Sequence, residues 1–250
     1  MIEKITSLNN QKVKDACKLK TTKGRNESGC FLIEGFHILD MALKANRVKA
    51  IFSKKIIEGI DEKITQYIVD DFILDKISFM PSNQGVIGVC ETIFSPIEHK
   101  NLLVFLDNIS DPGNMGTILR TCLAFGIENI LVSDGSVSIF NDKVLMSSQG
   151  AIFNLNVEKI NYQQLEELKN EYKIISSTLS EKSVNFGDLK VNKNEKYIVV
   201  FGNESRGISE DVIKLTDIFA KIPMNTIDSL NVGVAAGIII YYLAIQNKLC

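Results

Sequence analysis

The chain has 250 residues, 45% of them hydrophobic and 23% charged, with Lys+Arg 28 against Asp+Glu 30 for a net charge of -2. This usage excludes a disordered, collagenous or coiled-coil protein, and the length suits one large domain or, better, two modest ones. The balanced charge excludes a histone-like or an acidic solvating chain, although a basic segment can be masked by it.

Cys17, Cys30, Cys90, Cys122 and Cys250 are widely spread and form no C-x-x-C pair. That pattern suits reduced thiols rather than a disulfide framework or a zinc site. With only His37 and His99, a histidine-rich centre is not expected and no metal is assigned. The start, MIEKITSLNN, has charge within four residues and no apolar core, so no signal peptide is read. The longest apolar run, 232–245, is well short of the roughly 20 residues of a membrane span and reads as a buried helix. A soluble, cytoplasmic protein without a membrane partner is expected.

In chain order, Met1–Arg25 comes first, with seven basic and two acidic residues for a local charge of +5. Lys12, Lys14, Lys18, Lys20, Lys23 and Arg25 make either a solvated helix face or a phosphate-contacting arm. Val13, Ala16 and Cys17 fall near helical spacing, which predicts a short helix around 9–20. Strands are expected at 31–33, 48–52 and 86–90, with helices at 37–44 and 72–77. This small α/β module ends at Ser95-Pro96, where the composition turns polar. Beyond residue 100, strands are predicted at 102–106, 129–132, 152–155, 173–177, 196–201 and 218–222. Helices are predicted at 115–124, 142–148, 162–172, 210–215 and 230–246. Strict alternation of the two implies an α/β fold: a parallel sheet with helices on both faces.

Ligands of open α/β sheets bind at loops after the carboxyl ends of strands. Three such loops are unusually polar: Asp107–Thr117, Gly202–Gly207 and Pro223–Asn231. Each alone could be turn and cap chemistry, with Asp111 capping a helix that starts at Pro112 and Ser229 or Asp228 capping the last helix. Together they indicate a site. None contains G-x-G-x-x-G, a P-loop or a G-x-S-x-G elbow, so the residues by themselves describe an unclassified site of Asn, Glu, Arg and Ser.

DPGNMGTILRTCLAFG (111–126), VVFGNESRGIS (199–209) and KIPMNTIDSLNVGVAAGIIIYYL (221–243) resemble, in order and spacing, the three motifs of the SpoU (TrmH-like) branch of SPOUT RNA methyltransferases. SSQGAIFNLNV (147–157) is similar to that family's inter-motif stretch, and FLIEGFHILDMAL (31–43) to the substrate-binding domain found before the catalytic domain in many members. The resemblance implies ribose 2′-O-methylation of a structured RNA with S-adenosyl-L-methionine as donor, of rRNA in members that carry an N-terminal module. It implies domains at 1–96 (RNA-binding) and 100–250 (SPOUT methyltransferase), a C-terminal trefoil knot at about 196–247, and a homodimer. By motif match, Thr178, Gly202, Ile222, Met224 and Leu230 would hold the cofactor, mainly through backbone groups. Asn114, Arg120, Glu204, Ser229 and Asn231 would serve catalysis. Arg120 would clamp phosphate and developing oxyanion, because a guanidinium is too basic to be a base, and Glu204 would orient Arg120 or accept the proton. The segment 225–228 is short and glycine-free where the family often has a longer loop with a glycine. The alternatives are a catalytically inactive RNA-binding protein of ribosome assembly, a tRNA 2′-O-methyltransferase, and a small-molecule α/β enzyme.

Overall fold

The computed structural model describes residues 1–98, 100–227 and 229–247, so the readings made of His99, Asp228 and Cys250 fall outside the described residues. The chain divides into two compact units, Met1–Ile93 with Phe140–Leu145, and Phe94–Ile139 with Met146–Cys250. Nothing in the composition signals that residues 140–145 group with the first unit.

In the first unit, elements run β1 (Ile2–Ile5), α1 (Gln11–Lys18), α2 (Thr22–Ser28), β2 (Cys30–Glu34), α3 (Phe36–Lys44), β3 (Val48–Ser53), β4 (Thr65–Val69), α4 (Asp71–Ile77) and β5 (Val86–Glu91). The sheet order is β1-β4-β3-β5-β2. β1, β4 and β3 pair in parallel, whereas β5 runs antiparallel to β3 and β2. Val13, Ala16, Leu32, Phe52, Ile73, Leu74 and Ile77 form the core. β1, β4 and α2 escape the sequence reading. IEKI is short and half polar, and TKGRNES has no apolar stripe; α2 depends on the Thr21 cap, whose hydroxyl accepts from the Gly24 N–H. Gly24 passes so near α1 that a Cβ there would sit 2.1 Å from the Lys18 carbonyl oxygen.

The basic stretch is therefore packed structure, and two of its charges are committed internally. Arg25 is 6% exposed and donates to the carbonyls of Leu19 and Lys20 and to the Thr22 hydroxyl. Burial pushes its guanidinium pKa down, with Asp142 opposing. Arg25 is thus a structural residue and not the phosphate contact expected of it. The Lys20 ammonium donates to the carbonyls of Lys76 and Ser78, which helps tie α1 to the end of α4. Lys12, Lys14, Lys18 and Lys23 stay exposed, Lys18 beside Asp15 and Lys23 beside Glu27.

The second unit holds β6 (Leu102–Leu106), α5 (Pro112–Ala124), β7 (Asn129–Ser133), α6 (Asp142–Ser148, which begins in the first unit), β8 (Asn156–Ile160), α7 (Tyr162–Leu168), β9 (Tyr172–Ser177), β10 (Val184–Asn185), β11 (Lys196–Phe201), α8 (Glu210–Leu215), β12 (Ile218–Lys221) and α9 (Val232–Asn247). All seven strands are parallel, in the order β10-β12-β9-β11-β6-β7-β8. The central strands are apolar runs buried on both faces, as parallel strands require. Leu103, Phe105, Ile198 and Val200 pack with Leu165 of α7 and Val212 of α8, and α5 packs against α9. The strand predicted at 152–155 is instead a 3-10 helix, Ala151–Asn154, and pairing begins only at Asn156. Gly150 enters that turn in the left-handed region, and an apolar run of four residues does not distinguish the two geometries.

β11 lies between β9 and β6, both earlier in the chain, so the carboxyl ends of β6 and β11 are adjacent and the sheet switches topology there. Asp107, fully buried at the end of β6, secures this place. Its carboxylate accepts from the Asn108 amide at 2.9 Å, the Tyr162 hydroxyl at 2.9 Å and the Ser209 N–H at 2.7 Å, joining β6, α7 and the start of α8. Asp107→Ala should lower the stability in urea unfolding by about 1–3 kcal/mol for each donor left buried and unpaired, whereas a loss within 0.5 kcal/mol, the range of ordinary surface changes, would show that these bonds do not hold the end of the strand.

Candidate active site

Three loops leave the carboxyl ends of β6, β11 and β12, and each is shaped by its own sequence. After β6, Asp111 caps α5 by accepting the Asn114 N–H at 2.8 Å, with Pro112 in the first turn. After β11, Asn203 and Gly207 exchange two main-chain hydrogen bonds, while the Asn203 side-chain oxygen accepts from Ser205 N–H and Arg206 N–H. This tight loop needs a glycine at its base: a Cβ on Gly202 would stand 2.5 Å from the Gly207 carbon and the Ile208 nitrogen. After β12, residues 222–231 lead into α9, and the Asn231 side-chain oxygen accepts from the Gly233 and Val234 N–H groups. Asn231, rather than Ser229, is the capping side chain.

Glu204 joins the first two loops. Its carboxylate accepts from Ser110 N–H (3.2 Å), the Ser110 hydroxyl (2.8 Å), Asp111 N–H (3.0 Å) and the Asn114 amide (3.0 Å). Burial alone pushes the carboxyl pKa up, yet bonds from Asn114, the loop backbone, Ser110 and Asp111 outweigh it and hold the value down at about 2. The Asn114 amide, with its nitrogen on Glu204, takes the Asn231 amide at 2.9 Å on its oxygen. Glu204, Asn114 and Asn231 thus form one line of polar groups that ends at the first turn of α9.

Beside this line lies a cleft of about 630 Å³. Thr178, Gly202, Ile222, Met224 and Leu230 all line it, as do Glu204, Ser229 and Asn231. Asn114 reaches this group through its bonds to Glu204 and Asn231. Arg120 is the exception: it is exposed on α5, is absent from the cleft lining, and its guanidinium has no ion pair or hydrogen bond among the described residues. Glu204 therefore does not orient Arg120 within the chain. Sequence reasoning also missed Ser110, Asn203, Lys221 and Arg206. Arg206 could have been found, being the one basic residue in the three polar loops. Among the described residues no cluster of three or more His, Cys, Asp or Glu could hold a metal ion.

A cleft at the topological switch of a parallel sheet, lined by glycine, apolar and polar residues and edged by a fixed carboxylate–amide line, lies where α/β enzymes bind their ligands. The chain belongs to the SpoU rRNA Methylase family, whose pattern matches residues 101–241, and residues 10–88 match the MRM3-like substrate binding domain. It is 32% identical to the 23S rRNA (guanosine(2553)-2′-O)-methyltransferase RlmP of Bacillus subtilis, over 97% of this chain and 99% of that one. It is 35% identical to the tRNA (guanosine(18)-2′-O)-methyltransferase of Aquifex aeolicus, over 60% of this chain and 71% of that one. The crystal structure of AdoMet-bound rRNA methyltransferase from Sinorhizobium meliloti superposes with a TM-score of 0.85 at 25% identity, covering 96% of this chain and 97% of that one. The chain is accordingly an S-adenosylmethionine-dependent RNA methyltransferase.

Because the folded-state pKa of Glu204 lies below the ordinary 4.5, its carboxylate contributes stability that is fully present above pH 4.5 and is lost as the pH falls toward 2. The stability margin of the wild type over Glu204→Gln should be constant from neutral pH down to about 4.5 and shrink below it. Urea unfolding at each pH checks this; a margin independent of pH would separate the four hydrogen bonds from the carboxylate's charge.

Proposed function

We propose that this chain methylates a ribose 2′-hydroxyl of ribosomal RNA, of the 23S type, in the cytoplasm. The carrying observation is that residues of two separate motifs, 199–209 and 221–243, line one cleft, and that Asn114 of the third is tied to it through Glu204 and Asn231. The name of the Bacillus subtilis relative supports the choice of RNA, since it matches this chain along nearly its whole length. The tRNA-modifying relative matches 60% of it. No helix among the described residues is long and apolar enough to cross a membrane.

The cleft fits the donor in size and chemistry: Gly202, Ile222, Met224 and Leu230 offer main-chain N–H and C=O groups and apolar walls, and Thr178 stands at the end of the neighbouring strand. When bound, S-adenosylmethionine supplies an electrophilic methyl group. The residues of the chain then have to align an RNA hydroxyl with it. Glu204, with its pKa near 2, is too weak a base to take the hydroxyl proton at neutral pH; it holds Asn114 and the 110–111 backbone in place instead. Asn114, Ser229 and Asn231 position the acceptor. Residues 1–96 serve as the RNA-binding domain and 100–250 as the methyltransferase domain, with Lys12, Lys14, Lys18 and Lys23 supplying non-specific attraction to phosphate. The order of β9, β11 and β6 supports a trefoil knot over about 196–247, because β11 enters between two strands already placed.

A homodimer completes the reading. Six apolar residues of α9 suggest it from sequence, Val232, Ala235, Ala236, Ile239, Ile240 and Leu243; the last four are buried, and Val232 and Ala235 line the cleft. Another stripe on α9 is not buried: Val234 (53%), Ile238 (46%), Tyr241 (51%) and Ile245 (49%) are exposed at helical spacing on one face. Arg120 does not line the cleft of its own chain, so a role in transfer requires that it reach the cleft of a second copy.

Isothermal titration should give saturable heat with S-adenosylmethionine, and tritium from its methyl group should enter 23S rRNA transcribed in vitro. RNA with a 2′-deoxy sugar at the acceptor should bind yet take no label. RNA binding with no cofactor heat would replace the enzyme by a binding protein of ribosome assembly.

Arg120→Ala and Glu204→Ala should each be inactive. If Arg120 acts across the dimer, an equal mixture re-equilibrated into heterodimers should recover about a quarter of the sites, since half the dimers then carry one intact cleft faced by one intact arginine. A mixture as inactive as its parents, with heterodimers verified by differential tagging, would confine Arg120 to its own chain.

A further inference from the structure

Among the described residues three charged ones line the cleft: Glu204, Arg206 and Lys221. The carboxylate of Glu204 already accepts four hydrogen bonds from Ser110, Asp111 and Asn114, so it is not available to pair with the arginine two residues on. Arg206 itself is exposed, and its guanidinium has no ion pair or hydrogen bond among the described residues. Its main chain, by contrast, is firmly held. The Arg206 N–H donates to the Asn203 side chain at 3.0 Å, the residues on either side of the turn bond each other twice, and Asn203 is anchored to the Asn108 carbonyl at 2.8 Å. A free guanidinium on a fixed backbone at the rim of a catalytic cleft is pre-organised for an incoming anion.

We infer that Arg206 binds a phosphodiester of the substrate RNA next to the acceptor ribose and sets its position over the cleft. The inference rests on the methyltransferase reading above. Two anions could meet this arginine, a phosphate of the RNA or the carboxylate of the methyl donor. Depth and charge both favour phosphate. The cofactor-lining glycine, Gly202, is buried at the base of the loop, whereas Arg206 is exposed at its far side. The donor carries a net positive charge, and among the described residues the charged side chains of the lining that Glu204's neighbours do not occupy are Arg206 and Lys221, both cationic; this combination suits a polyanion better than a sulfonium compound. The planar fork of arginine matches two phosphate oxygens at once, which fixes direction as well as distance. Arg206 is therefore a positioning residue, distinct from the groups that touch the reacting atoms.

The test compares wild type, Arg206→Ala and Arg206→Lys, using 23S rRNA transcribed in vitro and S-adenosylmethionine. Arg206→Ala should raise KM for the RNA by about tenfold or more and lower the slope of log affinity against log salt by roughly 0.7–0.9. Its affinity for S-adenosylmethionine alone and its thermal unfolding should match wild type. Arg206→Lys should recover the salt slope, because the charge is restored, but only part of kcat, because the fork is lost. A fall in cofactor affinity with an unchanged salt slope would overturn the inference in favour of a carboxylate contact, and no change in either would make Arg206 a solvated side chain. Wild type that neither binds the cofactor nor labels RNA would remove the functional reading itself; an active wild type with an unaffected Arg206→Ala removes this inference alone.

Discussion

The pairing of β11 with β6 is the constraint on which the site depends. Tyr197 to Phe201 lie in register with Leu102 to Leu106, and one more main-chain bond, from Asp107 N–H to the Phe201 carbonyl at 2.9 Å, carries the ladder past the end of the strand. Two loops separated by nearly a hundred residues of chain therefore start side by side. Without that adjacency the Glu204 carboxylate would have none of the donors that surround it, and the amide line to α9 would have no first member. The burial of both strands on both faces makes the pairing hard to slip, since a one-residue shift would exchange the side chains of the two faces.

Electrostatically the site contrasts with the usual picture of a carboxylate at a catalytic centre. Active carboxylates are commonly pushed up by burial so that they hold or exchange a proton near neutrality. Glu204 is pushed the other way by four donors. Its permanent negative charge is a fixed structural element: it orients one amide, whose oxygen orients a second, whose oxygen caps a helix. Every polar atom in that sequence has an assigned partner, so the loops resist displacement when a ligand enters. Positive charge, in contrast, has no partner among the described residues at Arg206 and Arg120, one at the cleft rim and one exposed on α5.

The first unit shows how a basic segment divides between structure and surface. Lys20 and Arg25 satisfy carbonyl groups at the ends of α1 and α4, where helix termini leave acceptors without partners. Lys12, Lys14, Lys18 and Lys23 remain in solvent. A charge count treats all six alike because it contains no information about which side chains fold back onto the main chain.

Much of the fold was legible in the residues. Apolar runs of five, Leu102–Leu106 and Tyr197–Phe201, fall where the strands are, since a parallel strand buried on both faces leaves a continuous apolar run. The three polar loops marked the site because turns at strand ends rarely need so many Asn, Glu and Ser together, and the family resemblance named eight of the residues that line the cleft. Short or polar elements were not legible: β1, β4, α2 and the 3-10 helix at 151–154 exist because neighbours complete them, by a paired strand, a threonine cap or a left-handed glycine. Only the tertiary structure decided that Glu204 grips Asn114 and leaves Arg120 apart, that Asn231 rather than Ser229 caps α9, and that Val234, Ile238, Tyr241 and Ile245 face outward. Those outcomes turn on distances between residues remote in sequence and on which face of a helix meets its neighbour, and local pattern encodes neither.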